Sequence, residues 1–214
     1  MDKIPLDTKL LITSKPYAMI NVPKIDYIVA DKLSVFAPNT IGILYESDRD
    51  MEIIKQMHDV ATLFEHISNL EVIKNVYPNY ANVQIKYRKQ DFDFLFTLDD
   101  TIEACLSIIS NGVHYGSTQN FNRLKAGVQK ICTHVFGGYN MNKAIAHACQ
   151  VLYLAGAIRY DFILEYSILN VDSLDIPRTS KFVNLNRIKR THPHYFKYVK
   201  AVISYIEKKD IIML

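Results

Sequence analysis

The sequence predicts a mainly α-helical fold with a small β-containing part at the N-terminus, an α+β chain in which helices dominate. Three observations carry this. Seven Gly and seven Pro are spread over 214 residues, too few turn residues for a β-sandwich or barrel of that length. From residue 24 onward the apolar positions recur at helical spacing. The β-compatible runs, residues 8–13 and 17–22, lie ahead of that point and are parted by the turn signal Ser14-Lys15-Pro16.

The elements follow in order. Pro23 can open a helix without giving up a needed amide, and residues 24–36 continue with helical periodicity until Pro38-Asn39-Thr40 and Gly42 end it. Ser47 or Asp48 can cap a second helix to about residue 67, with an apolar stripe of Ile53, Ile54, Met57, Val60, Ala61 and Phe64. Residues 68–88 read as a third helix that Pro78 kinks or splits. Residues 91–96 fit no single pattern. After Thr97 an amphipathic helix runs to 110, with Asp99, Asp100 and Glu103 at the positive end of its dipole.

Asn111-Gly112 and Gly116-Ser117 then break the chain, and residues 120–135 form the next helix up to Gly137-Gly138. A long apolar helix is expected over 141–169, a short basic one between Pro177 and Pro193, and a last one over 194–209. There is no internal repeat and no low-complexity tract. Two domains are expected, residues 1–67 and a helical C-terminal domain of residues 68–214.

A hydrophobic fraction of 49% and a charged fraction of 22% are those of a globular protein and exclude disorder. The net charge of +3 is too small to name a partner. The opening residues have no sustained apolar run, so no signal peptide is expected. Residues 145–158 are the most apolar stretch, but His147 and Gln150 interrupt it and it is too short to span a bilayer. No membrane partner is expected. The stretch reads as a core helix, or more weakly as a dimer face. Cys105, Cys132 and Cys149 form neither a disulfide framework nor a zinc motif. Buried, reduced thiols are expected, and they suit a cytoplasmic location.

Lys32 sits near the centre of the stripe made by Ile25, Ile28, Val29 and Phe36. An unpaired buried ammonium is costly, so this side chain must snorkel out, find a carboxylate or face a polar cleft. Asp59 lies across the second helix from its apolar stripe, four residues after Lys55. On periodicity alone it is half of an exposed i,i+4 pair worth a few tenths of a kcal/mol.

Near the C-terminus, Arg178, Lys181, Arg187, Lys189, Arg190, Lys197 and Lys200 occur among Tyr195, Phe196 and Tyr198, with almost no acids. That mixture suits RNA phosphates and stacked bases, and equally a solvated helical face with its aromatics turned inward. Asp91 and Asp93 would share a face if they lay in a strand; they also read as plain polar positions beside Phe92 and Phe94. His192 and His194 read as loop and cap residues, and His58, His66, His134 and His147 as satisfied structural residues. No metal site is expected.

The segments VPKIDYIVADKLSVFAPNTIGI and MEIIKQMHDVATLF resemble the third and fourth motifs of the AbiEii/AbiGii nucleotidyltransferase toxins. Lys32 matches the Lys of the third motif, and Lys55 and Asp59 match the last Lys and Asp of the fourth. Pro38, Asn39, Thr40, Gly42 and Ile43 match a turn found in one subgroup. Ile53 and Gln56 stand where the fourth motif has Arg and its first Asp. The resemblance covers residues 8–67.

The resemblance implies a polymerase-β-like nucleotidyltransferase of type IV toxin–antitoxin systems, acting in abortive infection and phage defence. Such an enzyme moves a nucleoside monophosphate from an NTP to an RNA, tRNA in particular, or to a protein, with Mg2+ on the phosphates. Lys32 and Lys55 would meet the nucleotide, Lys32 and Asp59 would be catalytic, and an antitoxin would be a partner. The family carries a Gly-Ser turn and an Asp-x-Asp strand ahead of the Lys helix, and nothing upstream of Lys32 fits them. The chain is therefore expected to be the C-terminal portion of such a toxin, a nucleotidyltransferase remnant followed by a helical bundle. By itself it is expected to be inactive in transfer and to use neither Mg2+ nor NTP. The alternative is a non-catalytic helical module that binds nucleic acid or a protein through the basic stretch.

Overall fold

The structure is a computed structural model and describes residues 2–7, 12–162 and 175–212. Among these residues are eight α-helices and one two-stranded antiparallel sheet at the N-terminus, so the chain is mainly helical, as its periodicity predicts.

Strand β1 (Asp2–Pro5) pairs with β2 (Met19–Val22) in the register Asp2↔Val22 to Pro5↔Met19. The second expected strand is present. The first is not where the apolar run placed it: residues 8–11 lie outside the described residues, and Ile12 and Thr13 are irregular. Asp2–Pro5 supplies the pairing instead, and the ladder is prolonged by Leu6 N–H donating to Ala18 O at 2.8 Å. Strand propensity is a weak guide for so short and exposed a ribbon.

Helix α1 (Ile25–Val35) buries Val29, Ala30 and Leu33 and packs on both α2 (Asp50–Phe64) and α3 (Leu70–Tyr87). Its first turn is tied to the start of α3, because buried Asp26 accepts hydrogen bonds from Ser68 N–H (2.9 Å) and Ser68 Oγ–H (2.6 Å). The stripe foreseen for α2 is the buried one, Ile53, Ile54, Met57, Val60, Ala61 and Phe64. This helix begins later than expected, since Tyr45–Ser47 form a 3-10 turn and Asp48 adopts a left-handed φ of 54°. Helix α3 runs unbroken through Pro78. Ile73, Tyr77 and Ala81 are fully buried on either side of it, and that packing holds the two halves in line despite the lost backbone bond.

Helix α4 (Leu95–Ile109) starts where Asp93 Oδ1 accepts from Leu95 N–H at 2.8 Å. Ser117 Oγ caps α5 (Thr118–Ile131) by accepting from Asn120 N–H at 3.0 Å. Helix α6 (Met141–Tyr160) is the central rod. It is buried almost throughout from Ala144 to Ile158 and packs on α2, α4 and the last helix. It ends nine residues before the expected 169, with Asp161 in the left-handed region; residues 163–169 lie outside the described residues. Its apolar face is consumed by this core, which corrects the dimer-face reading.

The short basic helix is α7 (Ile188–Thr191), preceded by a 3-10 turn at Val183–Arg187. Helix α8 (Pro193–Ile212) packs Phe196, Val199, Val202 and Ile203 inward. Gly156 of α6 permits that approach, since a Cβ there would lie 2.6 Å from a Val202 methyl.

One core cluster runs from Val29 to Ile203, with α1 and α2 interleaved among the later helices on either side of residue 67. Cys105 and Cys149 are buried, whereas Cys132 is exposed in the 3-10 turn after α5, which corrects the expectation for that thiol. No helix among the described residues is long and apolar enough to cross a membrane.

Candidate functional site

Lys32 lies in the last turn of α1, and Lys55 and Asp59 lie one turn apart on the polar face of α2. Packing of the two helices brings all three together. Asp59 Oδ2 is 3.2 Å from Lys32 Nζ and 3.0 Å from Lys55 Nζ. Lys32 has thus found a carboxylate, and its side chain keeps 32% exposure against 25% for Asp59 and 51% for Lys55. Asp59 is not half of an isolated helical pair. It is a half-buried acid holding two ammonium groups from different helices, so the trio carries a net positive charge. A cavity of about 300 Å3 opens beside it, lined by Met51, Lys55, His58, Asp59, Ile131 and His134 among others.

Next to the trio is a cluster that sequence reasoning missed. His58 of α2 and His147 of α6 place their Nδ1 atoms 3.5 Å apart, and Tyr139 Oη lies 3.1 Å from His147 Nδ1. Burial pushes the His147 imidazole down to about 4 from its usual 6.5, with His58 and Lys143 adding to the effect. Burial also lowers His58, against the pull of the Asp59 carboxylate. Both rings are therefore neutral near pH 7. The one signal available was a histidine in an otherwise apolar helix, and nothing in the chain order said that residue 58 would face it.

The Pro38-Asn39-Thr40 turn has a structural explanation. Asp100 is 6% exposed. Its carboxylate accepts from Asn39 N–H (2.8 Å), Asn39 Nδ2–H (2.9 Å), Thr40 N–H (2.9 Å) and Thr40 Oγ1–H (2.8 Å). Burial raises the Asp100 carboxyl to about 6, and these four bonds oppose the rise. Thr101 Oγ1–H donates to Phe36 O at 2.7 Å, and the Arg88 guanidinium donates to the carbonyls of Ile41 and Gly42. At Gly42 a Cβ would stand 2.2 Å from Val35 O. Every polar residue of the turn is spent on joining α1 to α4. Asp100 is a clasp rather than a dipole-compensating surface acid; its neighbour Asp99 pairs with Arg159 at 2.7 Å.

Ile53 is a core residue at 1% exposure, which accounts for an apolar side chain at that position. A second ion cluster joins buried Asp50 to Arg123 (2.8 Å) and Lys130 (2.7 Å) and ties α2 to α5.

In the basic stretch, Arg178, Lys181, Arg187 and Arg190 are exposed, and Lys189, Lys197 and Lys200 are half-buried. Lys189 Nζ is 3.2 Å from Asp175, and Lys200 Nζ–H donates to Asp175 O at 2.9 Å. Phe196 and Tyr198 are buried, so their rings offer no stacking platform. His192 is a buried cap whose Nε2 is 2.9 Å from Asn142 O.

Among the described residues the carboxylates do not fit Mg2+, which needs several oxygen ligands about one point. Asp91 and Asp93 lie in a loop, with Asp93 capping α4. Asp59 is held by ammonium groups, and Asp100 by the turn. No group of three or more His, Cys, Asp or Glu among the described residues could hold a metal ion. No protein-family model, curated protein or solved structure matches the chain.

Proposed function

We propose that Lys32, Lys55 and Asp59 form the phosphate-receiving edge of a nucleotide site, in a chain akin to the rear of an AbiEii-type nucleotidyltransferase toxin. The observation that carries this reading is the double ion pair: the three residues singled out by the resemblance, from two separate helices, share one carboxylate beside a cavity. Asp59 keeps both ammonium groups extended and close together. An arriving triphosphate offers them a denser anion, so each lysine can exchange part of its contact with Asp59 for a phosphate oxygen at little cost in reorganisation. Asp59 is then the positioning residue and the lysines are the binding residues.

Nucleotide binding, and not transfer, is the activity assigned to these side chains, because the carboxylates among the described residues do not fit the metal that transfer requires. Transfer to an RNA or protein acceptor, and an antitoxin partner, belong to the same reading and rest on the resemblance alone. The test is calorimetric titration of the chain with each NTP and with inorganic triphosphate. Saturable binding is expected, weakened at least about tenfold by Lys32→Ala, the loss of one charge-assisted contact. Equal binding by wild type and Lys32→Ala overturns the proposal. Binding of tRNA with a steep salt dependence and no NTP binding would instead favour the helical-module reading through Arg178, Lys181, Arg187 and Arg190.

A further inference from the structure

The nucleotide reading leaves the His58, His147 and Tyr139 cluster unused, although three unlike elements converge to make it. His58 comes from α2, His147 from α6, and Tyr139 from the turn that leads into α6. The Nδ1 atoms are 3.5 Å apart while the ring centres are 5.2 Å apart, so the Nδ1 edges are turned toward each other. The rings lie within 16° of parallel.

The hydrogen bonds open to His58 Nδ1 are long. An unprotonated imidazole nitrogen has one lone pair, and His147 Nδ1 has both Tyr139 Oη at 3.1 Å and His58 Nδ1 at 3.5 Å as neighbours. If Tyr139 donates to that lone pair, His58 Nδ1–H is left to donate to Thr62 Oγ1 at 3.5 Å, while the Thr62 hydroxyl hydrogen goes to His58 O at 2.8 Å. The cationic groups near the pair, Lys55 and Lys143, hold other partners: Lys55 is on Asp59, and Lys143 donates to Gly137 O and Gly138 O.

A metal ion satisfies the same arrangement. Two nitrogens bound at about 2.0–2.1 Å to a tetrahedral ion stand about 3.4 Å apart, close to the separation found. Neutral imidazoles have the lone pairs that such an ion needs. Two imidazoles and a phenol suit a borderline transition ion, unlike the carboxylate oxygens sought by magnesium. Access exists from two sides. His58 lines the 300 Å3 cavity beside Asp59, and Tyr139 lines another of about 390 Å3 with Cys132 and Met141.

We propose that His58 Nδ1, His147 Nδ1 and Tyr139 Oη are three ligands of a divalent transition-metal site of the zinc, nickel or copper class. The fourth position faces a cavity and takes solvent or an anion. Binding displaces no proton from the two imidazoles when each carries its hydrogen on Nε2. The phenol proton passes to solvent as Tyr139 binds, drawn off by the ion's charge.

The experiment is titration of the whole chain with Zn2+ by calorimetry, and with Cu2+ by absorption spectroscopy. One equivalent is expected to bind, with His147→Ala weakening it at least about 100-fold and Tyr139→Phe at least about tenfold. His134→Ala and Lys32→Ala should leave it unchanged, the latter separating this site from the nucleotide edge. A phenolate-to-copper charge-transfer band, absent from Tyr139→Phe, gives a readout that does not depend on how well His147→Ala folds. Absence of stoichiometric binding overturns the proposal. So does binding that survives His147→Ala and is lost with His134→Ala, which marks an adventitious surface site.

Discussion

Asp59 and Asp100 each accept contacts from a segment around α1, and each is the partner of residues that the resemblance picks out, yet they do opposite work. Asp100 is buried and saturated by four donors of one turn, all fixed by the backbone of residues 39 and 40. Asp59 is a quarter exposed and is satisfied by two flexible ammonium groups at the rim of a cavity. A carboxylate whose partners are rigid and dry can hold an architecture together, because removing it strands buried donors. A carboxylate whose partners are long, wet cations contributes little to stability and leaves those cations free to change partner. The Asn-Thr turn is therefore architectural, while the Lys-Asp trio holds cations that can change partner.

The sharpest way to break that contrast is to remove each acid in turn. Asp100→Ala should lower the unfolding free energy by about 4 kcal/mol, with several buried donors left unpaired, while Asp59→Ala should change it by less than about 1 kcal/mol. Urea denaturation of both variants reads this directly. Comparable losses would show that the trio is as structural as the clasp.

Acid sharpens the comparison for the buried groups. His147, held near 4 in the folded chain against 6.5 when unfolded, costs stability progressively as the pH falls through that window, by up to about 3 kcal/mol. Asp100, raised to about 6 from 3.8, acts the other way, since the folded state takes up its proton first. The two effects offset one another in the wild type. His147→Gln should therefore gain on the wild type by up to about 3 kcal/mol between pH 7 and pH 4, measured as the difference between paired urea curves. A constant difference across that range would mean that His147 is not held neutral.

The smallest effect concerns the rim. Asp59→Asn removes the carboxylate that keeps the two lysines extended and side by side, an interaction worth no more than about 1 kcal/mol, so triphosphate affinity should fall by up to about fivefold. A rise in affinity would show that Asp59 competes with the phosphate for the lysines more than it positions them.

Much of the helical frame was legible from spacing. The α2 stripe and the burial of α6 follow from residue order, because a helix fixes which side chains share a face over a few residues. The continuity of α3 through Pro78 was not legible, since it depends on Ile73, Tyr77 and Ala81 finding the core on either side. Lys32 could be recognised as a misplaced charge, but its partner could not. Asp59 looked satisfied by Lys55, and only the packing of α1 on α2 makes it shared.

By itself the sequence determined the class of fold, the placement of most helices, and the presence of a lysine out of place on an apolar stripe. Tertiary structure alone decided that Asp100 clasps the Asn39-Thr40 turn, that Asp59 serves two cations, and that His58 meets His147 from 89 positions away. Periodicity records which residues share one helix face, within a reach of a few residues. Which faces then meet is set by the shared burial of the whole core, and that information is spread over the chain and held at no one position.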